Sequence, residues 1–195
     1  MSVPPAPPLL LASRSPQRRA ILDQLHVPFD VVLPEWEEVV GGDPVETVRA
    51  NAQGKARSVA EEAGDRPVLG VDTEVVLDGR VYGKAETASE AEAMLESLAG
   101  RTHEVVSGLS MLTPGWEVIE HEVTRVSFRP LDARDLAAYV GMGEWEGRAG
   151  AYAVQGRGAG LIERIEGDYL NVVGLPAALL VRLLAERFPG VYGFG

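Results

Sequence analysis

Hydroxyl and guanidinium side chains follow an apolar run near the start of the chain. Leu9–Ser13 is a short run of the buried-strand type, and Ser15 followed by Pro16 is typical of a helix N-terminus. Such a terminus offers free N–H groups to an anion, and hydroxyls and arginines add further donors. The side chains available here are Ser13, Ser15, Arg14, Arg18 and Arg19. The stretch indicates either a phosphate site or a capped surface helix with solvated arginines.

An aspartate interrupts a second apolar run. Asp72 lies within Pro67–Leu77, which is rich in residues favoured in strands. Burying an unpaired carboxylate is costly, so Asp72 needs a metal, a cation or several hydrogen-bond donors as its partner. At a strand end it could hold a divalent ion or take a proton from water. The alternative is that Asp72 caps a neighbouring turn through Thr73.

Lysines and an acidic run are further candidates for phosphate and metal binding. Lys55 and Lys84 are the two lysines of the chain, and each could neutralise phosphate, although a lone lysine is more often solvated. The acidic run contains Glu35, Glu37 and Glu38. Such a run is usually a solvated edge, but one of its carboxylates beside Asp72 could complete a magnesium site. Mg²⁺ takes one or two carboxylates together with phosphate oxygens and water.

A glycine-rich stretch, Arg148–Gly160, contains a candidate base-binding residue. Its glycines allow the backbone to approach a ligand closely. Gln155 has both a donor and an acceptor, which suits the edge of a pyrimidine base. The glycine spacing is not a dinucleotide-binding fingerprint, because no strand-then-helix context accompanies it. Taken alone, the stretch is more typical of a flexible loop.

Periodicity and turn residues predict strands and helices that alternate along the chain. Strands are predicted at Leu9–Ser13, Phe29–Leu33, Pro67–Leu77, Thr102–Leu112, Trp116–Phe128, Leu161–Ile165 and Tyr169–Val173. Helices are predicted from Pro16, from Pro44 to about Ala63, over Ser89–Leu98, from Asp132 to about Tyr139, and over Pro176–Arg187, with 141–160 as a loop region. A long hairpin interrupts the alternation, so the sequence predicts an α/β protein with a mixed sheet.

Composition limits the classes of protein and of partner. The 195 residues fit one large domain or one domain with two lobes, and we expect a short proline-rich segment over 1–8 followed by a single domain over 9–195. The net charge of -11 argues against a nucleic-acid-binding protein. The chain has no cysteine, and its three histidines show no metal-ligand spacing. With no signal peptide or apolar stretch of membrane-spanning length, a cytoplasmic protein is expected.

Several of these stretches together resemble one protein family, the Maf nucleoside triphosphate pyrophosphatases. The motifs occur in the family's order from Leu9 to about Leu184: LLLASRSPQRRAIL, Lys55-Ala56, GVDTEVVLDG, Gly83-Lys84, LAGRTHEVVSG and RAGAYAVQGRGAGLIERIEGDYLNVVGLP. The resemblance implies a two-lobed mixed β-sheet flanked by helices, with a central cleft, similar to inosine triphosphate pyrophosphatases. It also implies hydrolysis of a nucleoside triphosphate to the monophosphate and pyrophosphate, with Mg²⁺ or Mn²⁺ required. A homodimer and a link to septum formation in cell division are expected on the same grounds.

The resemblance assigns roles to individual residues. Asp72 takes the position of the proton acceptor and a metal contact, and Glu38 that of a second metal ligand. Phosphate is held at the positions of Ser13, Arg18, Lys55 and Lys84. Substrates are sorted at the positions of Arg18, Thr73 and Gln155, and the stretch AGAYAVQG resembles the subfamily acting on dTTP and UTP.

Three positions depart from the usual pattern of the family. Gln17 takes the place of the first of two arginines after Ser-Pro, Glu74 stands where an apolar residue is common, and Arg148 replaces a lysine.

Three rival functions remain open. They are a division regulator that binds triphosphates without turnover, a pyrophosphatase for damaged purine nucleotides, and a nucleotidyltransferase.

Overall fold

A seven-stranded mixed sheet forms the centre of the molecule. The structure, a computed structural model, describes residues 6–195, so residues 1–5 of the expected proline-rich segment lie outside the described residues. The strands are β1 (Leu9–Ala12), β2 (Phe29–Val32), β3 (Val68–Leu77), β4 (Arg80–Tyr82), β5 (Thr102–Thr113), β6 (Trp116–Phe128) and β7 (Ile162–Glu166). Their order is β2-β1-β3-β5-β6-β7, with β4 paired to β3.

Helices cover both faces of this sheet. They are α1 (Pro16–Gln24), α2 (Pro44–Ser58), α3 (Ala60–Ala63), α4 (Ala88–Leu98), α5 (Ala133–Val140), α6 (Tyr169–Val173) and α7 (Ala177–Arg187). The strands β2, β1 and β3 are parallel, whereas β3, β5, β6 and β7 pair antiparallel. The predicted mixed α/β fold is therefore confirmed. No helix within residues 6–195 combines the length and the apolar character that crossing a membrane requires.

Two separate hydrophobic cores on one face of the sheet define two lobes. The first lobe packs α1 and α7 against β1 through residues such as Leu11, Leu22 and Leu180. The second lobe packs α4 and α5 against the far ends of β3, β5 and β6, around Leu95 and Phe128. Helix α2 lies on the opposite face of the sheet, over smaller apolar clusters. The two cores leave polar residues between them at the middle of β3.

The secondary structure predicted for one element is wrong. Tyr169–Val173 was expected to be a strand and is the short helix α6. Asp168 caps this helix, because its Oδ1 accepts from the backbone N–H of Leu170 at 2.8 Å, and Gly174 ends it. A segment of five residues is too short to be assigned by periodicity alone, so the cap decided the outcome.

Other boundaries agree with the sequence to within a few residues, with one interruption. The predicted helix from Pro44 to about Ala63 is divided at Val59 into α2 and α3. Ser15 caps α1 through a bond from the N–H of Arg18, and Asp132 and Asp135 form the predicted capping box of α5. The predicted loop 141–160 contains turns and the start of a 3₁₀ helix at Arg157–Leu161.

Candidate active site

An opening between β1 and β4, along one edge of strand β3, locates the candidate site. On one edge, β3 pairs with β5 from Val68 to Val76. On its other edge it pairs with β1 over Val68–Gly70 and with β4 over Val75–Leu77. Within the described chain no strand pairs with residues 71–74 on that second edge. The strand rise of about 3.3 Å per residue makes this opening roughly 17 Å long between Gly70 and Val75.

Two cation-bearing segments lie at the two ends of this opening. Strand β1 ends at Ala12 beside Gly70 and continues into Ser13 and the arginines of α1. Strand β4 runs antiparallel to β3 and ends at Tyr82 beside Val75, so Gly83 and Lys84 follow at the other end. The sheet topology therefore brings Ser13 and Lys84, far apart in sequence, to opposite ends of one short stretch of β3.

Asp72 lies within the opening and is held by two donors from α2. Lys55 Nζ donates to Asp72 Oδ1 at 2.7 Å, and Asn51 Nδ2 donates to Asp72 Oδ2 at 3.1 Å. All three residues are buried, with exposed fractions of 8% for Asp72, 7% for Lys55 and 2% for Asn51. The expectation that a buried Asp72 requires partners is thereby met by a cation and an amide.

Two glycines allow α2 to lie close enough for these contacts. A Cβ on Gly70 would come within 2.2 Å of the carbonyl oxygen of Ala52, and one on Gly108 within 2.2 Å of that of Val48. Gly108 is the β5 partner of Asp72 in the register of the sheet. A side chain at either glycine would lift α2 away from β3 and separate Lys55 from Asp72.

Arg18 connects three elements on the opposite face of β3. Its Nε donates to the carbonyl of Gly174 at 2.9 Å, and its two terminal nitrogens donate to Ser13 Oγ at 3.2 Å and Thr73 Oγ1 at 3.3 Å. Thr73 Oγ1 also lies 2.8 Å from Ser107 Oγ. Since a guanidinium has five N–H donors, two remain for a ligand. Burial lowers the pKa of Arg18, although the carboxylates of Asp72 and Glu38 act in the opposite direction.

Glu38 reaches the same cation as Asp72. Its Oε1 lies 2.6 Å from Lys55 Nζ, and its side chain is 57% exposed. Glu74, two residues after Asp72 on β3, has a buried Oε2 without a hydrogen-bond partner. Burial, and then the charges of Asp72 and Glu38, raise the pKa of Glu74 to about 7, while Lys55 lowers it. The concentration of carboxylates around one ammonium group is an arrangement that a metal cation would also satisfy.

The residues that the structure describes form no complete metal cage. Within residues 6–195, no three or more Asp, Glu or His side chains are arranged to hold a metal ion. Protein carboxylates would supply only part of the coordination, as is usual for Mg²⁺ beside a phosphorylated ligand.

Lys84 and Gln155 belong to the second lobe and are exposed. The backbone of Lys84 forms an isolated antiparallel bridge with Ala149, which ties it to the glycine-rich stretch 148–160. That stretch is itself anchored, because Tyr152 Oη lies 2.8 Å from the buried His103 Nε2 and Glu144 accepts from the N–H of Gly158 at 2.8 Å. These anchors hold the backbone on both sides of Gln155. The stretch is therefore more constrained than the flexible loop that the sequence alone indicated.

The structure divides the predicted residues into two networks and two exposed side chains. Asp72, Lys55 and Glu38 form one network, and Ser13, Arg18 and Thr73 form the other. Lys84 and Gln155 contact neither network directly. Asn51 was not predicted, and the only signal in the sequence was its position one helical turn before Lys55 in NAQGKARS.

This arrangement suits the chemistry of a polyphosphate. A carboxylate with fixed orientation can align and deprotonate a water molecule. Cations on both sides of the opening can offset the charge of a triphosphate and stabilise its leaving group.

Comparison with known proteins shows which family this chain belongs to. The model of the family described as "Maf-like protein" matches residues 8–187. A protein of Nitratidesulfovibrio vulgaris named dTTP/UTP pyrophosphatase is 46% identical over 186 residues, which cover 93% of this chain and 89% of that protein. Proteins with the same name from Symbiobacterium thermophilum and Bacillus cytotoxicus are 45% and 42% identical, cover 91% of this chain, and are themselves covered to 93% and 94%. Because the family model and these relatives match most of its length, the chain belongs to the Maf family.

Proposed function

We propose that this protein is a nucleoside triphosphate pyrophosphatase that hydrolyses dTTP and UTP to the monophosphate and pyrophosphate. The observation that carries the proposal is the position of Asp72, oriented by Lys55 and Asn51 in an opening of the sheet with cations at both ends. The names of the relatives support the same reaction and the same substrates, and this chain matches most of the length of each of them.

In the proposed reaction, Asp72 accepts a proton from water while the water oxygen attacks the α-phosphorus. The bond from the α-phosphorus to the bridging oxygen breaks, and that oxygen leaves as part of pyrophosphate. Lys55 contacts Asp72 Oδ1 and fixes the carboxylate, which keeps lone pairs available for the water. Positioning and charge neutralisation supply most of the catalysis in such reactions.

The phosphates are bound, in this proposal, by residues from both ends of the opening. Ser13 and Arg18 contribute from the first lobe, where two guanidinium N–H groups are not used by the protein contacts of Arg18. Lys84 contributes from the second lobe, and Lys55 from beneath β3. We assign recognition of the nucleobase to Thr73 and Gln155, together with Arg18. Thr73 lies between the lobes, and Gln155 can both donate and accept hydrogen bonds.

A divalent cation, Mg²⁺ or Mn²⁺, is held by Asp72 and Glu38 in this proposal. Two features fit it. Both carboxylates already converge on the Lys55 ammonium, and Glu74 Oε2, two residues from Asp72 in sequence, is buried without a hydrogen-bond partner. When bound, such a cation neutralises phosphate charge and lowers the pKa of a bound water. Lys55 would then share the two carboxylates with the cation and have donors free for phosphate.

The setting of the reaction follows from the same proposal. The protein acts on free nucleotides, with no nucleic acid or membrane as a partner, as a homodimer in the cytoplasm. The link to septum formation stays a prediction from the family resemblance. It would follow from control of nucleotide pools rather than from a feature of the fold.

The experiment that tests the function measures pyrophosphate and orthophosphate from dTTP, UTP, CTP, ATP and GTP, each with Mg²⁺. We expect pyrophosphate from dTTP and UTP. Asp72→Asn should reduce the rate by about 10³-fold or more, since it removes the base while keeping the shape. Asp65→Asn is the matched control, because Asp65 is exposed and lies outside the opening.

Each rival function has its own outcome in this experiment. Turnover mainly of purine nucleotides would support a pyrophosphatase for damaged purines. Nucleotide binding without product would support a regulator that senses triphosphates. Pyrophosphate release only when an acceptor other than water is supplied, with the nucleotide attached to it, would support a nucleotidyltransferase.

A further inference from the structure

The loop that carries Glu38 has no secondary structure of its own. Residues 33–42, here called the acidic loop, connect β2 to α2 without a helix or strand, and most of them are exposed. Yet Glu38 lies 2.6 Å from the buried ammonium of Lys55. An exposed loop holds a side chain at such a place only when other contacts fix its backbone, because ordering each residue costs about 1–2 kcal/mol of conformational entropy.

One buried amide supplies most of those contacts. Asn51 Oδ1 accepts from the backbone N–H of Val39 at 2.8 Å and from Trp36 Nε1 at 3.2 Å. Asn51 Nδ2 donates to the carbonyl of Val39 at 3.0 Å and to Asp72 Oδ2 at 3.1 Å. A carboxamide has two donors and two lone pairs, so these contacts use its whole capacity.

The contacts of Asn51 join the two candidate metal ligands. Its paired bonds to Val39 fix the residue that directly follows Glu38, and its fourth bond fixes the second oxygen of Asp72. Lys55, one turn later on α2, contacts Glu38 and the first oxygen of Asp72. Consecutive turns of one helix thus hold both carboxylates, Lys55 by charge and Asn51 by hydrogen bonds.

A second contact seats the acidic loop on α2 independently of Asp72. The indole of Trp36 occupies the space above Gly54, where a Cβ would lie 2.1 Å from Trp36 Cε2. Only glycine at position 54 leaves room for the indole in this place. The loop is therefore docked both by the amide of Asn51 and by the absence of a side chain at Gly54.

We propose that Asn51 is a positioning residue that docks the acidic loop and orients Asp72, so that Glu38 and Asp72 bind one divalent cation together. The cation binding and its catalytic consequence rest on the proposed function, whereas the docking of the acidic loop does not. If Asn51 served only to satisfy buried polar groups, replacing it would lower stability and leave cation binding unchanged. That difference makes the two roles separable.

The test uses tag-free protein without nucleotide, with two readouts that need no turnover. Mn²⁺ binding is measured by the electron paramagnetic resonance signal of the free ion. Docking of the acidic loop is measured by the ¹⁵N–¹H resonance of the Trp36 indole, which is assigned by its loss in Trp36→Phe. The chain has three tryptophans, so the indole region is simple to read.

Asn51→Leu removes all four hydrogen bonds while keeping a similar volume. We expect it to move the Trp36 resonance and to weaken Mn²⁺ binding at least tenfold, as loss of an outer partner of metal ligands typically does. The matched control is Asn171→Leu, since Asn171 is also a fully buried amide and donates to Val105 and Thr124 instead. The control should lower the melting temperature without changing either readout.

Gly54→Ala is the second variant and addresses the risk that Asn51→Leu does not fold. Alanine favours the helix, but its Cβ forces the Trp36 indole to move while the bond from Asn51 to Asp72 can persist. We expect a shifted Trp36 resonance and Mn²⁺ binding weakened about threefold or more. The proposal is overturned if either variant displaces the indole and leaves Mn²⁺ binding unchanged, if Asn51→Leu alters neither readout, or if the unaltered protein does not bind Mn²⁺.

Discussion

The two lysines of the chain lie on opposite sides of the candidate site and are held in opposite ways. Lys55 is buried beneath β3 and contacts two carboxylates, whereas Lys84 is exposed at the end of β4 and is fixed through its backbone. The same contrast holds for their surroundings, with side-chain networks around Asp72 and Arg18 on one side and a loop anchored to an apolar core on the other. One side of the site is ordered before a ligand arrives, and the other side presents exposed donors.

This contrast has a kinetic meaning. Groups fixed before binding stabilise a transition state without the cost of ordering them, so their loss should lower kcat. Exposed donors contribute to the substrate and the transition state alike, so their loss should raise KM. Three predictions test this division and a fourth tests the core of the second lobe. They run from the largest expected effect to the smallest.

Lys55→Met should lower kcat for dTTP by about 10³-fold, because it removes a positioned cation and leaves Asp72 with one donor. It should also destabilise the protein by about 3 kcal/mol, the usual result of removing one partner of a buried pair. Steady-state kinetics and urea unfolding measure the two effects. An unchanged kcat with a raised KM would place Lys55 in the same class as Lys84.

Arg18→Lys should lower kcat/KM by about 10²-fold although the charge is kept. A lysine has a single nitrogen and cannot contact Gly174, Ser13 and Thr73 in the fixed geometry of a guanidinium. Arg134→Lys is the control, since Arg134 is exposed on α5. Equal activity of Arg18→Lys and the parent protein would mean that charge alone matters there.

The second lobe should lose stability in mild acid, because its core contains a neutral histidine. Burial lowers the pKa of His103 to about 4, below its usual value of 6.5. Below pH 6.5 the unfolded chain takes up a proton that the folded protein does not, so stability present above that pH is lost as the pH falls toward 4. Between pH 7 and pH 5 the loss should be about 2 kcal/mol, roughly a 30-fold change in the unfolding equilibrium.

Urea unfolding at pH 7, 6 and 5 checks this loss by comparing the parent protein with His103→Gln. The difference between the two proteins isolates His103 from other titrating groups, among them Glu74, whose raised pKa acts in the opposite direction over this range. His26→Gln is the control, because His26 is exposed. A difference that does not vary with pH would refute the assignment.

Lys84→Met should have the smallest effect, about a tenfold rise in KM with kcat changed less than threefold. Its side chain is exposed, so the protein should keep its stability. The same substitution at Lys55 is the matched comparison. If Lys84→Met lowered kcat as strongly as Lys55→Met, the contrast between the two sides would not hold during the reaction.

The sequence alone predicted which residues lie in the candidate site better than how they meet. Asp72 was found because a carboxylate in an apolar run must have a partner, and that inference depends only on local composition. That the partners are Lys55 and Asn51 depends on the distance from α2 to β3, which Gly70 and Gly108 set from two different strands. No local pattern contains that distance.

The misassigned segment shows the same limit from another direction. Tyr169–Val173 was predicted as a strand beside the turn Glu166-Gly167-Asp168, whereas the helix depends on the caps Asp168 and Gly174. The error concerns the site, since the carbonyl of Gly174 accepts from Arg18. Short segments are decided by their ends and by tertiary contacts, which periodicity does not record.

The opening in β3 also bears on how this protein avoids aggregation by strand addition. An unpaired strand edge is a template on which another chain can add a strand and begin to aggregate. Here the free edge spans only residues 71–74, and β1 and β4 close it at both ends while running in opposite directions. An intruding strand of ordinary length, about five or six residues, does not fit between them. The backbone can thus remain accessible to a small molecule while it is closed to another polypeptide.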